Sequence, residues 1–255
     1  MLPALLIAAL VSACAGESSL TNALEASGAQ PVVSTSGGTS ADQPRFDPFS
    51  DNTGYKPLRE VIKDPSVADV MQPGPLPEMA IGRADAPVTL IKYASLTCPY
   101  CREFHRTTFP QLKREYIDPG KVRFILREFP IGFQSGAATI ALRCAKPERY
   151  FELYGKFMAQ QNAWVSQEVR RDPIFKIASQ VGMTRAEFDA CYENQGMISA
   201  LNAVKERGRT LGVIGTPNFF VNGRLIKTVI GMPEIRQLVD PIVAGGARPQ
   251  ATAAN

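Results

Sequence analysis

Two cysteines separated by two residues, Cys98 and Cys101, are the part of the sequence best suited to chemistry. They follow an apolar, β-rich run at 88–94, and Pro99 lies at the start of a helical pattern. Proline is tolerated there because its missing N–H would be unpaired in any case. Cys98 is therefore expected at a helix N-terminus, where partial positive charge stabilises a thiolate. Cys101 follows about one turn later, close enough for a disulfide bond, so the arrangement indicates redox chemistry.

A C-x-x-C pair could also form half of a metal site. Zinc requires four ligands, whereas the sequence has a single histidine, His105, and no second C-x-x-C. Soft thiolates suit Cu(I), but no Met-rich or His-rich tract accompanies the pair. The spacing therefore favours redox chemistry without a metal or cofactor, and a periplasmic Cu(I)-binding protein stays open as an alternative.

The start of the chain has features of an export signal. Residues 1–11 are apolar but too short to span a bilayer. Residues 11–14, Val-Ser-Ala-Cys, resemble the bacterial lipobox, so we expect 1–14 to be a signal peptide and Cys14 to carry a lipid. The alternative is cleavage after Ala15 without lipidation. No Lys or Arg precedes the apolar run, which is atypical of either signal. We expect the protein on the periplasmic face of a bacterial membrane or, alternatively, soluble in the periplasm.

Export determines how the remaining cysteines are interpreted, because disulfide bonds persist outside the cytosol. Either cleavage leaves Cys98, Cys101, Cys144 and Cys191 for pairing. Four cysteines allow three pairings, and the close spacing of the first two favours their pairing with each other. Cys144 and Cys191 are then expected to form a structural disulfide bond, with two separate buried thiols as the alternative.

Composition and charge describe a globular domain with an extension. A net charge of +4 on 255 residues predicts neither nucleic-acid binding nor a strongly acidic substrate. The hydrophobic fraction of 45% fits a packed core. Residues 15–45 are rich in small and polar residues, and prolines continue through 46–80. We interpret 15–80 as a flexible linker or N-terminal extension. The alternative is that short helical turns within 46–80 wrap the domain or mediate self-association.

The elements around the cysteines can be predicted from local patterns. A strand at 88–94, a helix at about 99–116 and a β-rich run at 121–129 predict a βαβ crossover with parallel strands. Pro110 lies inside the helix and is expected to kink it. Apolar residues then recur at helical spacing between 134 and 211, which predicts four or five short helices.

Three local signals refine the second half of the chain. Thr184 and Glu187 have the spacing of a capping box and predict a helix start. Asn222-Gly223 lies between β-rich runs and predicts a hairpin. A last helix fits residues 233–244, and Trp164 is expected to pack among the helices.

Three phrases together resemble the DsbA family of thiol–disulfide oxidoreductases. They are Ala86 to Cys101, Arg127-Glu-Phe-Pro130, and Gly215 to Gly223. The resemblance covers roughly residues 76–245. It is strongest to alphaproteobacterial periplasmic members, some of which carry a second disulfide bond in their helical domain.

The resemblance implies an α/β fold, namely a thioredoxin fold with an inserted all-helical domain. The thioredoxin-like part would comprise 81–132 and 212–246, and the helical insertion 133–211. Residues 247–255 would form a disordered tail.

The resemblance also implies roles around the cysteines. In the family, the proline at the position of Pro217 is cis and faces the C-x-x-C, which leaves the backbone of Thr216 open to pair with an extended substrate. Cys98 would be the nucleophile and Cys101 its partner.

The two residues between the cysteines influence the redox poise. Many DsbA proteins have Pro-His there, whereas this chain has Pro99-Tyr100, a pair that glutaredoxins also use. The resemblance therefore implies a disulfide oxidoreductase without fixing how strong an oxidant it is.

Two further residues could tune the pair. Lys92 lies six residues before Cys98, where thioredoxins and many DsbA proteins carry a buried carboxylate. Protonated, it would favour a thiolate; desolvated, it could act as a base; otherwise it extends to solvent. His105 follows Cys101 by four residues and shares its helix face. It could tune the thiolate, contact a redox partner or lie at the solvated surface.

The leading prediction is an oxidase that donates disulfide bonds to exported proteins and is reoxidised by a DsbB-like, quinone-linked membrane protein. A disulfide isomerase or reductase of the same fold is the enzymatic alternative.

Overall fold

The computed structural model describes residues 61–245. The predicted signal peptide with Cys14, most of the predicted linker and the predicted tail at 247–255 lie outside the described residues. The described chain folds into one β-sheet and a set of α-helices that precede, connect and follow its strands. The strands are β1 (Met79–Ile81), β2 (Val88–Ala94), β3 (Val122–Glu128), β4 (Asn218–Val221) and β5 (Arg224–Ile226). The helices are α1 (Val67–Met71), α2 (Pro99–Glu103), α3 (Phe109–Leu112), α4 (Phe133–Cys144), α5 (Tyr150–Ala159), α6 (Gln161–Trp164), α7 (Arg171–Ala178), α8 (Arg185–Cys191), α9 (Gln195–Thr210) and α10 (Met232–Gly245).

The sheet has five strands in the order β1-β3-β2-β4-β5. β2 and β3 pair in parallel, as predicted, and the other neighbouring strands pair antiparallel. Helices α4 to α9 lie in sequence between β3 and β4. This mixed sheet with a helical insertion confirms the predicted fold class.

The central strand β2 is buried on both faces. Val88 and Leu90 belong to the larger apolar cluster, and Ile91 and Tyr93 belong to a second cluster on the opposite face. A strand covered on both sides has a nearly continuous apolar sequence, which explains why 88–94 could be recognised. The hairpin was also predictable, because Asn222 (φ 44°) and Gly223 (φ 87°) adopt the left-handed conformation that such a turn requires.

The helix that carries the cysteines continues through Pro110 but changes its winding. Two π-helical turns, Phe104–Thr108 and Lys113–Ile117, flank α3. Proline cannot donate the usual backbone hydrogen bond, and π-helical turns often occur where the regular ladder is interrupted.

The helical insertion differs from the prediction of four or five short helices, because it contains six α-helices, of which α9 is 16 residues long. The one-turn helix α6 is too short to show a period in the sequence. Thr184 and Glu187 form the predicted capping box at the start of α8. Trp164 packs as predicted: it is buried, and its indole N–H donates to the carbonyl of Phe157 at 2.9 Å.

Residues 61–80 differ from the flexible linker that we expect from their prolines. They form α1, capped by Ser66, and β1, which pairs with β3. Arg127 holds this segment through the carbonyl of Val70 at 2.7 Å and the carboxylate of Glu78 at 2.7 Å. Arg127 lies in β3, about fifty residues later in the chain, so no local sequence pattern indicates this packing.

Within residues 61–245, no helix has both the length and the apolar character needed to cross a membrane.

Candidate active site

The cysteine pair lies where β2 ends and α2 begins. Cys98 is the N-cap of α2 and Pro99 occupies its first turn. The Cys98 sulfur accepts a hydrogen bond from the backbone N–H of Cys101 at 3.3 Å. Both cysteines are thiols in this structure. The helix start thus presents a backbone donor to Cys98, as the sequence pattern indicated.

The environment stabilises the thiolate of Cys98. Hydrogen bonding by the Cys101 side chain is the largest cause that lowers the pKa of Cys98, from 9.0 to about 6, against the opposing effect of burial. Hydrogen bonds with Thr216 and with the backbone of Cys101 and Tyr100 add to this effect. Cys98 is partly exposed. A low pKa combined with exposure is the property of a nucleophilic cysteine.

Cys101 has the opposite environment. It is fully buried, and burial raises the pKa of its thiol well above the ordinary value, with the hydrogen bond to Cys98 adding to the rise. The positive charge of Lys92 partly opposes these effects. The two cysteines therefore differ: Cys98 is accessible and its thiolate is stabilised, while Cys101 is buried and favours the protonated thiol.

The loop before β4 faces the pair. The peptide bond between Thr216 and Pro217 is cis, and the thiol of Cys98 donates to the carbonyl of Thr216 at 3.1 Å. Asn218, the first residue of β4, fixes the loop, because its side-chain N–H donates to the carbonyl of Pro217 at 2.9 Å. The structure thus brings Thr216 and Pro217 beside Cys98 from more than a hundred residues away.

Lys92 lies beneath the pair and does not reach solvent, since it is 1% exposed. Its ammonium donates to the carbonyl of Cys101 at 3.3 Å and to the hydroxyl of Tyr154 at 3.2 Å. Desolvation lowers the pKa of Lys92 from 10.5 to about 8, although nearby Cys101 and Cys98 partly oppose the shift. The interpretation in which Lys92 extends to solvent is therefore wrong, because β2 directs the side chain into the core.

His105 is packed rather than solvated. Its ring stacks on Phe109 and meets the ring of Tyr154 edge-on, each with centroids 5.3 Å apart. Burial lowers the pKa of His105 from 6.5 to about 4, and the charge of Lys92 lowers it further. The interpretation of a solvated surface histidine is wrong, because α5 covers this side of the cysteine helix. His105 is neutral at physiological pH.

Sequence reasoning missed two residues of the insertion that reach the site. Gln161 in α6 is buried, and its amide N–H groups donate to the carbonyls of Leu96 at 2.7 Å and Cys98 at 3.1 Å. Tyr154 in α5 supplies the hydroxyl beside Lys92. Tyr154 belongs to an apolar helical pattern and Gln161 has no motif, so neither could be recognised locally.

The other residues that the sequence singled out are Tyr100 and the second pair of cysteines. Tyr100 is 63% exposed beside Cys98. Cys144 and Cys191 are joined by a disulfide bond that connects the ends of α4 and α8. Among residues 61–245, no cluster of three or more His, Cys, Asp or Glu side chains could hold a metal ion.

Known proteins resemble this chain in sequence and in fold. The family model described as thioredoxin matches residues 76–241. A Rickettsia conorii protein named as a protein-disulfide oxidoreductase is 33% identical over 148 residues, 57% of this chain and 53% of the relative. "Disulfide bond formation protein D" of Bacillus subtilis is 21% identical over 68% of this chain and 81% of that protein. The match to the rickettsial relatives spans little more than half of their length, for example 57% in Rickettsia bellii.

Solved structures share the fold. Wolbachia pipientis alpha-DsbA1 superposes with a TM-score of 0.63 at 24% identity and covers 71% of this chain and 97% of its own. Oxidised BdbD from Bacillus subtilis gives 0.59 at 22% identity, with coverages of 73% and 99%. A protein-disulfide isomerase from Novosphingobium aromaticivorans gives 0.53 at 25% identity, with coverages of 65% and 97%.

Proposed function

Because the chain belongs to the thioredoxin family, we propose that it is a DsbA-type thiol–disulfide oxidoreductase that introduces disulfide bonds into exported proteins. The observation that carries the proposal is the asymmetry of the pair. Cys98 is partly exposed with a pKa of about 6, and Cys101 is fully buried with a raised pKa. The names of the rickettsial and Bacillus relatives support the same chemistry.

In the proposed reaction, the oxidised enzyme carries a Cys98–Cys101 disulfide bond. A substrate thiolate attacks the sulfur of Cys98, a mixed disulfide forms, and the electron pair of the broken bond goes to Cys101. A second substrate thiolate then attacks the substrate sulfur of the mixed disulfide, and Cys98 leaves as a thiolate. The substrate gains a disulfide bond, and both enzyme cysteines are reduced. A stabilised Cys98 thiolate makes the reduced form more favourable, which makes the enzyme more oxidising.

The loop at Thr216 and Pro217 is proposed to receive the substrate backbone. The carbonyl of Thr216 lies 3.1 Å from the Cys98 sulfur, so an extended peptide paired with this loop would hold its own cysteine near Cys98. Pro99 and Tyr100 complete the motif, and exposed Tyr100 lies where a bound peptide would pass.

The test is the redox equilibrium of the pair on a chain that starts at Gly16. We expect a potential clearly more oxidising than the value of about −270 mV for thioredoxin, on the side of the scale that leads to about −120 mV for the strongest oxidant of this type. The oxidised protein should also oxidise reduced ribonuclease A, and a Cys98→Ala variant should not. A potential near that of thioredoxin would contradict the oxidase proposal.

An isomerase or reductase is the second candidate, and the likeness to the Novosphingobium protein-disulfide isomerase favours it. The two functions differ in the redox state in which the enzyme is active. An isomerase must be kept reduced and rearranges scrambled disulfide bonds, whereas an oxidase acts from the disulfide form. Refolding of scrambled ribonuclease A by the reduced protein, without an added oxidant, would support the isomerase.

The proposal includes a cellular location and a protein that reoxidises the cysteine pair. The Cys144–Cys191 disulfide bond fits an oxidising compartment, and the lipobox-like Val11 to Cys14 supports a lipid anchor on the periplasmic face of a membrane. Labelling with radioactive palmitate should depend on Cys14 and be lost in Cys14→Ala. Reoxidation by a DsbB-like quinone-linked oxidase should appear as quinone-dependent oxidation of the reduced protein by bacterial membranes.

A further inference from the structure

Ser95 lies between the end of β2 and Cys98, and its backbone contacts both cysteines. Its carbonyl accepts a hydrogen bond from the backbone N–H of Cys98 at 3.2 Å. Burial raises the pKa of the Cys101 thiol, and a hydrogen bond with the backbone of Ser95 partly opposes this rise. A donor has this effect because it stabilises the thiolate, so the group of Ser95 that faces the Cys101 sulfur is its N–H. The backbone of one residue therefore connects the two cysteines.

The hydroxyl of Ser95 is held by the segment that leads into the helical insertion. Ser95 is 1% exposed, and Ser135, in the first turn of α4, is 0% exposed. Their hydroxyl oxygens lie 2.7 Å apart, and the hydroxyl of Ser95 also accepts a hydrogen bond from the backbone N–H of Ile131 at 3.2 Å. Breaking these bonds would leave polar groups unpaired in the core. The start of the insertion therefore fixes the position of Ser95.

Thr97 adds a second connection between the same two segments. Its hydroxyl donates to the carbonyl of Ile131 at 3.3 Å and lies 3.2 Å from the hydroxyl of Ser95. Both backbone groups of Ile131 are thus bonded to side chains of the loop before Cys98. Thr97 is partly exposed, whereas Ser95 and Ser135 are buried. We therefore expect the contact between the two serines to fix this loop more firmly than the contact of Thr97.

We propose that Ser95 is a positioning residue for the redox reaction: its backbone N–H stabilises the charge that develops on Cys101, and Ser135 holds it in place. This inference rests on the proposed redox function of the pair. When a thiolate attacks the sulfur of Cys98, a bond forms between the two sulfurs, the bond to Cys101 breaks, and Cys101 takes the electron pair. A donor already aimed at the atom where charge develops lowers the barrier. The amide proton stays on the nitrogen of Ser95 throughout.

Such a donor has a kinetic signature, because opening and closing of the pair share one transition state. In that state Cys101 carries partial negative charge. In the reduced protein, burial favours the protonated thiol of Cys101, so the N–H of Ser95 contributes more to the transition state than to either stable state. Loosening this N–H should therefore slow opening and closing by the same factor and leave the reduction potential unchanged.

The test measures the rate at which glutathione opens the Cys98–Cys101 disulfide bond at pH 7, together with the reduction potential of the pair. Loss of a whole donor of this kind slows other enzymes by about a hundredfold or more, and in Ser95→Ala the N–H remains but is less well fixed, so we expect opening to be about three- to tenfold slower. The potential should stay at the wild-type value. Thr139→Val is the matched control, because it removes a buried hydroxyl that bonds the carbonyl of Ser135 within the same helix at 2.8 Å. It should keep the wild-type opening rate.

Ser135→Ala tests the connection to the insertion. It also covers the case in which Ser95→Ala does not fold, because it keeps every atom of Ser95. We expect Ser135→Ala to slow opening as well. The double variant Ser95→Ala/Ser135→Ala should be no slower than Ser95→Ala, because Ser135 acts only through the hydroxyl of Ser95.

Several outcomes would contradict the proposal. Wild-type opening rates in both single variants, with the fold intact by circular dichroism, would overturn it. Equal slowing in Thr139→Val, or a slowing that is matched by a change in potential, would also overturn it, since the effect would then lie in the fold or in the stable states. Effects of the two serines that multiply in the double variant would overturn the link to α4.

The same experiment separates this inference from the proposed function. If the wild-type pair does not react with glutathione at all, the proposed redox function fails, and the inference about Ser95 fails with it. If the pair reacts and Ser95→Ala has the expected effect, but the protein does not oxidise reduced proteins, the inference stands and only the oxidase proposal is wrong.

Discussion

Cys98 and Cys101 have the same side chain three positions apart, and their surroundings make them chemically different. Hydrogen bonds with Cys101, with Thr216 and with the backbone at the start of α2 outweigh burial at the sulfur of Cys98, while burial has the largest effect at the sulfur of Cys101. The motif identifies the pair in the sequence. The direction of each pKa shift depends on the loop at 214–217 and on the helices above α2, which come from distant parts of the chain.

The low pKa of Cys98 predicts its reactivity towards iodoacetamide. Only the thiolate reacts, so with a pKa of about 6 the rate should rise about tenfold from pH 5 to pH 7 and then level off. A thiol with an ordinary pKa would show a rise of about a hundredfold over this interval and would keep rising above pH 8. Mass spectrometry should locate the label on Cys98, and Cys98→Ala should remove it.

His105 predicts a pH dependence of stability. Its pKa is about 4 in the folded chain and 6.5 ordinarily, so the unfolded chain binds a proton between these values while the folded chain does not. Stability should therefore be lost as pH falls from 6.5 towards 4, by at most about 3 kcal/mol from this residue. Urea unfolding at pH 7 and pH 4.5 should show a smaller loss in His105→Gln. Equal losses in both proteins would contradict this account of His105.

For residues such as Lys92, the sequence could predict the position in the chain but not the surroundings of the side chain. The sequence places Lys92 six residues before Cys98, which suggested a link to the pair. It could not show whether the side chain reached solvent, because its hydroxyl partner, Tyr154, comes from a helix 62 residues later. Pro217 could be assigned only because a family resemblance supplied its position.

At the scale of elements, the short helix α6 forms hydrogen bonds to the backbone of the loop that carries Cys98. Gln161 donates to the carbonyls of Leu96 and Cys98. Gln161→Leu keeps the approximate volume but leaves the carbonyl of buried Leu96 without this donor, while the carbonyl of Cys98 keeps only the backbone N–H of Arg102. We expect it to lower the free energy of unfolding by about 1–3 kcal/mol, measured by urea denaturation. Gln160→Leu, whose side chain pairs with Gln180 at the surface, should change it by less than about 0.5 kcal/mol.

The disulfide bond between α4 and α8 predicts a second effect on stability. Cys144 and Cys191 are 47 residues apart, and closing a loop of that length stabilises a fold by about 4 kcal/mol in the chain-entropy model. The Cys144→Ala/Cys191→Ala variant should lose most of this, with a lower urea midpoint. If its midpoint matches that of the wild type, the bond has another role.

Elements with strong local signals were predictable, and elements defined by their neighbours were not. β2, the hairpin turn at Asn222-Gly223 and the capping box at Thr184 each follow from residue types at fixed spacing. Helix α6 and the π-helical turns beside Pro110 have no such signature. Their geometry depends on packing against the rest of the chain.

At the scale of the whole described chain, the sheet and the helical insertion share one core. Leu90 of β2, Trp164 of α6 and Ile177 of α7 belong to the same buried apolar cluster. Gln161 and Tyr154 extend this continuity into the active site. The insertion is therefore part of the redox site. Its Gln161 donates hydrogen bonds to the backbone of the cysteine loop, and its Tyr154 is the hydroxyl partner of Lys92.

The segment that precedes the sheet belongs to this unit as well. Val70 of α1 is 1% exposed and packs in the cluster on the second face of the sheet, and Arg127 holds its carbonyl. Val70→Ala should therefore lower the free energy of unfolding by about 2 kcal/mol, because it removes buried methyl groups and leaves a cavity.

Val61→Ala is the matched control, because it is the same substitution at a valine that is 47% exposed. Its urea midpoint should stay at the wild-type value. Equal midpoints for the two variants would mean that residues 61–80 act as the linker that their prolines suggest. A lower midpoint for Val70→Ala alone would mean that these residues fold with the sheet, since only a packed valine loses stability when its methyl groups are removed.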